Sequence, residues 1–343
     1  MRVAALVVVA TLAAVATARA QGAGRLTVDE ENDKFASRDD RHYTQGLRLS
    51  YLTPGITGGV LAVPFDALAD RLSVPARAAP ADRDRKIAWT ILGQSLFTPR
   101  DTRRTTEDPH DRPYAAWLYT GASLLQESAP GRPDRRMLEN LELLVGVVGP
   151  AALGREAQND VHQFLGIPGA RGWRHQLRNE PGVMLGYERR WDFALPLFAD
   201  LAVDVIPEAG VTLGNVMTYG QLGGIARFGR YLGVDYGPAH IRPGVTGAGL
   251  FNARAIPARG LGGYLFVGTQ GRVVGHDVFL DGNTSGGGPS VDKRPVVADF
   301  VGGASLYWGE ILELDFTVTE RTREFYGQGS EDRFGMLTLS FRL

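Results

Sequence analysis

The chain closes on Met336-Leu337-Thr338-Leu339-Ser340-Phe341-Arg342-Leu343, and how this stretch is read decides the fold. Leu337, Leu339, Phe341 and Leu343 share one face of an extended chain, while Thr338, Ser340 and Arg342 share the other. That spacing predicts a strand with one oily and one wet side. The same alternation recurs upstream. Between Glu310 and Thr319, Leu312, Leu314, Phe316 and Val318 alternate with Glu313, Asp315, Thr317 and Thr319. Leu141, Leu143, Val145 and Val147 oppose Glu142 and Gly146, and near the start Tyr43, Gln45, Leu47, Leu49 and Tyr51 oppose Thr44, Gly46, Arg48 and Ser50.

A soluble sandwich alternates as well, because it hides its apolar face against a second sheet, so periodicity alone leaves sandwich and barrel both open. The chain ends separate them. Arg2 precedes an apolar run from Val3 to Ala18, and Ala18-Arg19-Ala20 supplies the small residues of a signal-peptidase site, so residues 1–20 read as a signal peptide cut after Ala20. The run is short for a membrane span and is broken by Thr11 and Thr17. No second long apolar run follows, which leaves no helical span. With 44 glycines and no cysteine, the exported domain must be held by hydrogen bonding and packing without disulfides. A strand running to the last residue resembles the C-terminal signal read by the barrel assembly machinery, with Leu343 in place of the usual terminal Phe. Trp308, Tyr307, Tyr187 and Trp191 supply interfacial aromatics.

Residues 21–343 are therefore expected to form one all-β domain, a transmembrane antiparallel β-barrel in the bacterial outer membrane. Closure follows from lipid, since an open sheet would leave backbone groups unpaired there. The net charge of −1, or −3 once Arg2 and Arg19 are removed with the signal, gives no warrant for nucleic-acid binding. Segments Thr53 to Arg85, Arg100 to Arg112, Ser128 to Arg136 and Asp281 to Pro289 are rich in turn-forming and charged residues and read as loops.

Two polar clusters exceed what a barrel wall requires. The first is Asp29-Glu30-Glu31-Asn32-Asp33, followed by Asp39-Asp40-Arg41-His42-Tyr43-Thr44. Clustered carboxylate and amide oxygens suit a hard cation such as calcium, although a solvated acidic strand end has the same composition. The second is Gly154-Arg155-Glu156-Ala157-Gln158-Asn159-Asp160-Val161-His162, where Gln158 and His162 stand four apart and would share one helix face. His162 could act there as a base, or serve as an ordinary structural histidine. There is no nucleophile elbow, HExxH signature, P-loop or dinucleotide turn, which leaves a water activated by a histidine beside a metal as the simplest hydrolytic chemistry still open.

At these same clusters the sequence resembles the lipid A 3'-O-deacylase family of outer-membrane barrels. The resemblance is carried by ENDKF (31–35), DRHYTQGLRLSY (40–51), DRPYAAWLY (111–119), GVVGPAALGREAQNDVHQFLG (146–166) and GWRHQLRNEPG (172–182), and continues through LGNVMTYGQLGG, FLDGNTS and RTREF. It implies a barrel of about twelve strands, a short loop helix near the extracellular opening, and a site inside the barrel near that opening. The implied activity is calcium-dependent hydrolysis of the ester holding the 3'-linked acyloxyacyl chain of lipid A. Carried over by motif, the catalytic set is His162, Asn32, Asp33, Thr44 and Gln158, with Asn32 and Asp33 also as calcium ligands and His162 on the catalytic histidine. Strict alternation with Leu47 and Leu49 would turn Thr44 to the lumen. Neutral His162 is needed, so activity is expected to fall at acid pH. Arg112 is a candidate for an anionic group of the lipopolysaccharide substrate, or for a strand-end pairing with Asp111. Glu180 is a further carboxylate without a clear counterpart. The rival function is a catalytically silent pore or structural barrel, with the clusters as polar lumen lining.

Overall fold

A computed structural model describes residues 24–36, 42–54, 83–128, 136–166, 168–238, 240, 256 and 260–343. The expected signal peptide (1–20), Asp39 to Arg41, and most of the loops expected over 53–85 and 128–136 lie outside these residues.

Twelve strands form a closed barrel: β1 (Arg25–Asn32), β2 (His42–Leu52), β3 (Arg83–Thr98), β4 (Ala115–Ser128), β5 (Arg136–Val148), β6 (Glu180–Pro196), β7 (Leu201–Gly214), β8 (Met217–Arg230), β9 (Leu261–Asp277), β10 (Val296–Trp308), β11 (Leu312–Arg321) and β12 (Asp332–Arg342). Each pairs antiparallel with its sequence neighbours, and β12 closes on β1 with Leu26 opposite Phe341 and Asn32 opposite Gly335. The even count places both termini at one end, the periplasmic end in bacterial barrels of this kind; the other is the outer end. Thr53 to Arg85 is shorter as a loop than its composition suggested, because Arg83-Asp84-Arg85 already pair with Ser128-Glu127-Gln126.

Alternation sorts the side chains as the sequence required. Glu313, Asp315, Thr317 and Thr319 are buried inside, whereas Leu314, Phe316, Leu337 and Leu339 are exposed outside. Leu222 and Val267 are 70% and 66% exposed, and such residues recur around the wall. So much exposed apolar surface is stable only against lipid. Trp308 joins this outer surface, but Tyr307 does not: it is 1% exposed, and its hydroxyl donates inward to the backbone oxygens of Arg230 and Tyr231. Adjacent strand residues face opposite ways, so the two aromatics could not both have met the interface.

The lumen is filled at both ends. At the outer end, residues from nine strands, among them Tyr43, Phe97, Trp117, Met184, Tyr219 and Phe334, form one apolar cluster with Phe279. A cluster drawn from all around the circle can only be internal. Phe279 comes from a helical turn, Val278–Asp281, folded into the mouth and stacked on Phe97 at 4.1 Å between centroids. At the terminal end, Leu232 to Tyr236 enters the lumen. Arg227 binds Asp204 and Asp235, the Tyr236 hydroxyl donates to Glu127 at 2.9 Å, and Arg190 donates to the Tyr236 carbonyl at 2.9 Å. The lumen also holds buried ion pairs, with Arg48 on Asp29 at 2.9 Å and Arg321 on Asp299 at 2.9 Å.

Candidate active site

The connection between β5 and β6 leaves the outer end and folds back over the outside of the wall. Its helix, α1 (Gly154–Leu165), packs against β3 and β4. Trp117 belongs to the internal cluster, so Ala116 before it faces outward, yet Ala116 is 0% exposed. What covers it is a small second core of Leu96, Tyr114, Ala152, Ala170 and Trp173. Gly154 has no side chain because it lies directly on this core: a Cβ there would stand 2.4 Å from the Cβ of Ala116. The helix ends at Gly166, left-handed at φ +69°, whose N–H donates to the Gln163 and His162 carbonyls.

Gly154, Gln158 and His162 are all buried and spaced by four, so they form the stripe of α1 turned towards the wall. The Trp173 indole N–H donates to Gln158 Oε1 at 2.7 Å. His162 Nδ1 lies 2.9 Å from the Pro168 carbonyl oxygen. A carbonyl only accepts, so Nδ1 carries the proton and Nε2 is the basic nitrogen of the neutral ring. Asn159 Oδ1 accepts from the Ala170 N–H at 2.9 Å, tying the returning chain to the helix that carries these groups.

Thr44 lies on this outer side, opposite to the lumen facing that strict alternation with Leu47 and Leu49 would give it. A bulge between Tyr43 and Gln45 shifts the register of β2 against β3. It turns Tyr43 inward, its ring 5.4 Å from Phe97 and 5.3 Å from Phe334. Thr44 instead shares a hydrogen bond of 2.7 Å with Thr98, the outward neighbour of inward Phe97. Both threonines are buried although they point away from the lumen.

The acidic run of β1 is divided by its own pleat. Asp29 and Glu31 point inward, Asp29 meeting Arg48 and Thr338, and Glu31 bonding the Tyr43 hydroxyl. Glu30 and Asn32 point outward, with Glu30 accepting from Gln45 at 3.0 Å. Asn32 caps a 3-10 turn, its Oδ1 accepting from the Lys34 N–H at 2.9 Å, and Asp33 is buried in that turn. Five consecutive polar residues therefore serve two faces and a turn, and neither one acidic cluster nor a solvated strand end describes them. No group of three or more His, Asp or Glu side chains poised for a metal occurs among the described residues.

Arg112 is not part of this assembly. It is 1% exposed on the lumen side, over the Phe97 ring at 4.6 Å, with Nη1 donating to Glu324 at 3.1 Å; its link to Asp111 is through the backbone N–H. A small cleft between the 99–114 loop and Gly172 to His175 is lined by Arg112, Asp111, Arg104 and Tyr114, and by none of Thr44, Gln158 and His162. Nearby, His42 Nδ1 lies 2.7 Å from Asp332 and its Nε2 3.5 Å from Asp111. Glu180 accepts from Asn283 and from Thr284, bracing the loop. Sequence reading passed over Thr98 and Trp173. Thr98 carries no motif, but Trp173 stands in the quoted GWRHQLRNEPG string.

The profile of the family described as Outer membrane protein LpxR matches residues 3–343. The chain belongs to the LpxR family. Its fold is that of LpxR from Salmonella typhimurium, to which it is similar with a TM-score of 0.72 at 20% identity, covering 92% of this chain and 99% of that one. Weaker similarity extends to the β domain of the Bordetella autotransporter BrkA (TM-score 0.43, 10% identity, 93% of this chain and 97% of that one). The translocator domain of NalP from Neisseria meningitidis is also similar (TM-score 0.37, 9% identity, 94% and 89%). No curated protein sequence matches the chain. Family and fold together place the protein in the outer membrane.

Proposed function

We propose that this LpxR-family barrel is a carboxylic ester hydrolase that removes the 3'-linked acyloxyacyl chain of lipid A, with lipopolysaccharide as its substrate in the outer leaflet. The observation that carries the reading is the buried Gln158–His162 stripe, pressed onto the outward face of the wall at its outer end. Asn32 and Thr44 lie on the same outward face. A lipid of the outer leaflet would meet the barrel on this side and at this end.

His162 Nε2 takes a proton from water, and the water oxygen attacks the ester carbonyl carbon. The imidazolium then returns the proton to the sugar oxygen as it leaves. Pro168 fixes the tautomer and Asn159 anchors the segment that carries Pro168, so the ring is oriented before substrate arrives. For calcium, Asn32, Asp33 and Thr44 offer only oxygen donors, which fits a hard cation in kind. The number falls short of six: Asn32 Oδ1 already caps the Lys34 N–H and Thr44 already meets Thr98, so further oxygens must come from backbone, water or substrate. Calcium held by Asn32 and Asp33 would supply positive charge beside the ester carbonyl.

The test is the mass of lipid A after exposure to purified protein, wild type against His162→Ala, with and without a chelator. Loss of the 3' chain with wild type alone, abolished by chelation while the barrel stays folded, is the expected result. An unchanged acyl complement with calcium present would end the proposal. The silent-pore alternative has the two lumen plugs against it.

A further inference from the structure

Ester hydrolysis needs a donor at the carbonyl oxygen as negative charge gathers there, and one buried donor of this site has no partner of its own. Gln158 is 1% exposed, its Oε1 accepts from Trp173, and its Nε2 has no hydrogen-bond partner. The orientation of this amide follows from chemistry. An indole N–H donates and never accepts, so the atom facing it must be the carbonyl oxygen, and the NH2 must point the other way. A buried donor left unpaired is unfavourable, and this one lies on the same helix stripe as His162, where a substrate oxygen would supply the acceptor.

We infer that the Gln158 side-chain N–H is an oxyanion donor of this site and that Trp173 is the residue that positions it. The inference rests on the deacylase reading above and gives two of its residues separate tasks. Trp173 is itself immobilised: it is 2% exposed, its ring lies 5.0 Å from that of Tyr114, and a Cβ on Gly154 would come within 2.6 Å of it. Gln158 precedes His162 by about one helical turn on the same buried stripe, so base and donor are carried by one rigid element. As water attacks, its proton passes to His162 and the carbonyl π pair moves onto the oxygen, which accepts from Gln158 Nε2. Collapse restores the carbonyl, breaks the bond to the sugar oxygen, and that oxygen takes the proton from His162.

Two substitutions separate this from a structural role. Gln158→Glu keeps an oxygen for Trp173 but removes the donor; Trp173→Phe keeps the aromatic packing but removes the N–H that holds the amide. With purified, heat-modifiable barrel in detergent and calcium present, the first is expected to lower kcat by about 10²–10³-fold with little change in KM. The second is expected to lower kcat about tenfold, since the amide must then find its orientation at each turnover. A non-hydrolysable phosphonate analogue, whose anionic oxygen imitates the oxyanion, should lose affinity for Gln158→Glu by a similar factor, while an ether analogue binds as before. Wild-type kcat in Gln158→Glu, or equal loss of both analogues, overturns the assignment. Deacylation that survives His162→Ala would instead sink the deacylase reading, so the two failures are distinguishable.

Discussion

Replacing Gly154 with alanine isolates the contact that sets α1 on the wall. Helix propensity alone predicts a gain of roughly 1 kcal/mol for this change. Packing predicts the opposite. The new Cβ would stand 2.4 Å from the Cβ of Ala116 and 2.6 Å from the Trp173 ring. Carbon atoms settle at ~3.5–4.0 Å, so the start of the helix must lift by roughly 1–1.5 Å. Neither neighbour gives easily, because Ala116 is part of β4 and Trp173 is enclosed. Overpacking of this kind costs about 1–3 kcal/mol, which offsets the propensity gain. The effect on chemistry is larger, because Gln158 and His162 ride on the same helix, and misplacement by about 1 Å at a reacting group costs on the order of 10²-fold in rate. Gly154→Ala should therefore fold, migrate as a heat-modifiable barrel, and release the acyl chain from lipid A about a hundredfold more slowly by mass spectrometry. Gly166→Ala is the control: a Cβ there meets nothing within 4 Å, and only its φ of +69° is strained, at about 1–2 kcal/mol. A folded Gly154→Ala barrel with wild-type turnover would refute the claim that wall contact sets the position of α1.

Arg227→Ala should lower the unfolding free energy by about 3–5 kcal/mol, seen as a lower denaturant midpoint in detergent, because Asp204 and Asp235 would stay buried without their cation. An unchanged midpoint would mean that the terminal-end plug contributes nothing to stability. Asp111 and Glu324 link the outer loops to acid. Burial by itself would push both carboxyls up. Hydrogen bonds from His42 and the Arg100 and Arg112 backbone hold Asp111 below its usual range, and Arg321, Arg112 and Arg272 do the same for Glu324. Their stabilisation is thus full above the unfolded carboxylate range of about 4 and is lost as pH falls through the depressed folded values. Limited proteolysis should find the 99–114 and 322–331 loops protected at neutral pH and cut below about pH 4, with the strands intact; equal protection at both would contradict this. Finally, single-channel recording in planar bilayers should detect no steady open pore, since both ends of the lumen are filled. A stable conductance would revive the pore reading.

The wall was legible because lipid outside and water-like polarity inside impose a period of two on every strand, and Leu312 to Thr319 or Leu337 to Ser340 obey it without exception. The candidate site was legible only as motifs. Gln158 and His162 could be placed on one helix face from their spacing, but nothing in that spacing says which side of the barrel the helix lies on. Thr44 shows the limit more sharply. A single inserted residue at the β2 bulge reverses the facing of Tyr43 relative to Leu47 and Leu49, and a bulge leaves no mark in a pattern of apolar and polar letters. Arg112 shows it again: its neighbours Asp111 and Pro113 announce a strand end, while its partner Glu324 is more than two hundred residues away.

The bulge also favours a proposed site on the outside of the wall over one inside the barrel, where the resemblance had placed it. The lumen at the outer end is closed by aromatic packing, with Phe97 stacked on Phe279 and Tyr43 against Phe334, so a two-chain lipid fragment has no room there. An amphiphile held in the outer leaflet cannot leave it without exposing its chains to water, at about 0.8 kcal/mol for each methylene. A site on the outward face avoids that cost, because substrate arrives by lateral diffusion and leaves its chains in the bilayer. The requirement falls on the protein instead: polar groups facing lipid must be covered. Thr44 and Thr98 bond each other, the Gln158 carbonyl oxygen accepts from Trp173, and His162 is bound to Pro168 within the β5–β6 connection. The Gln158 amide N–H is left without an acceptor, and an acyl ester drawn against the wall is what would bring one.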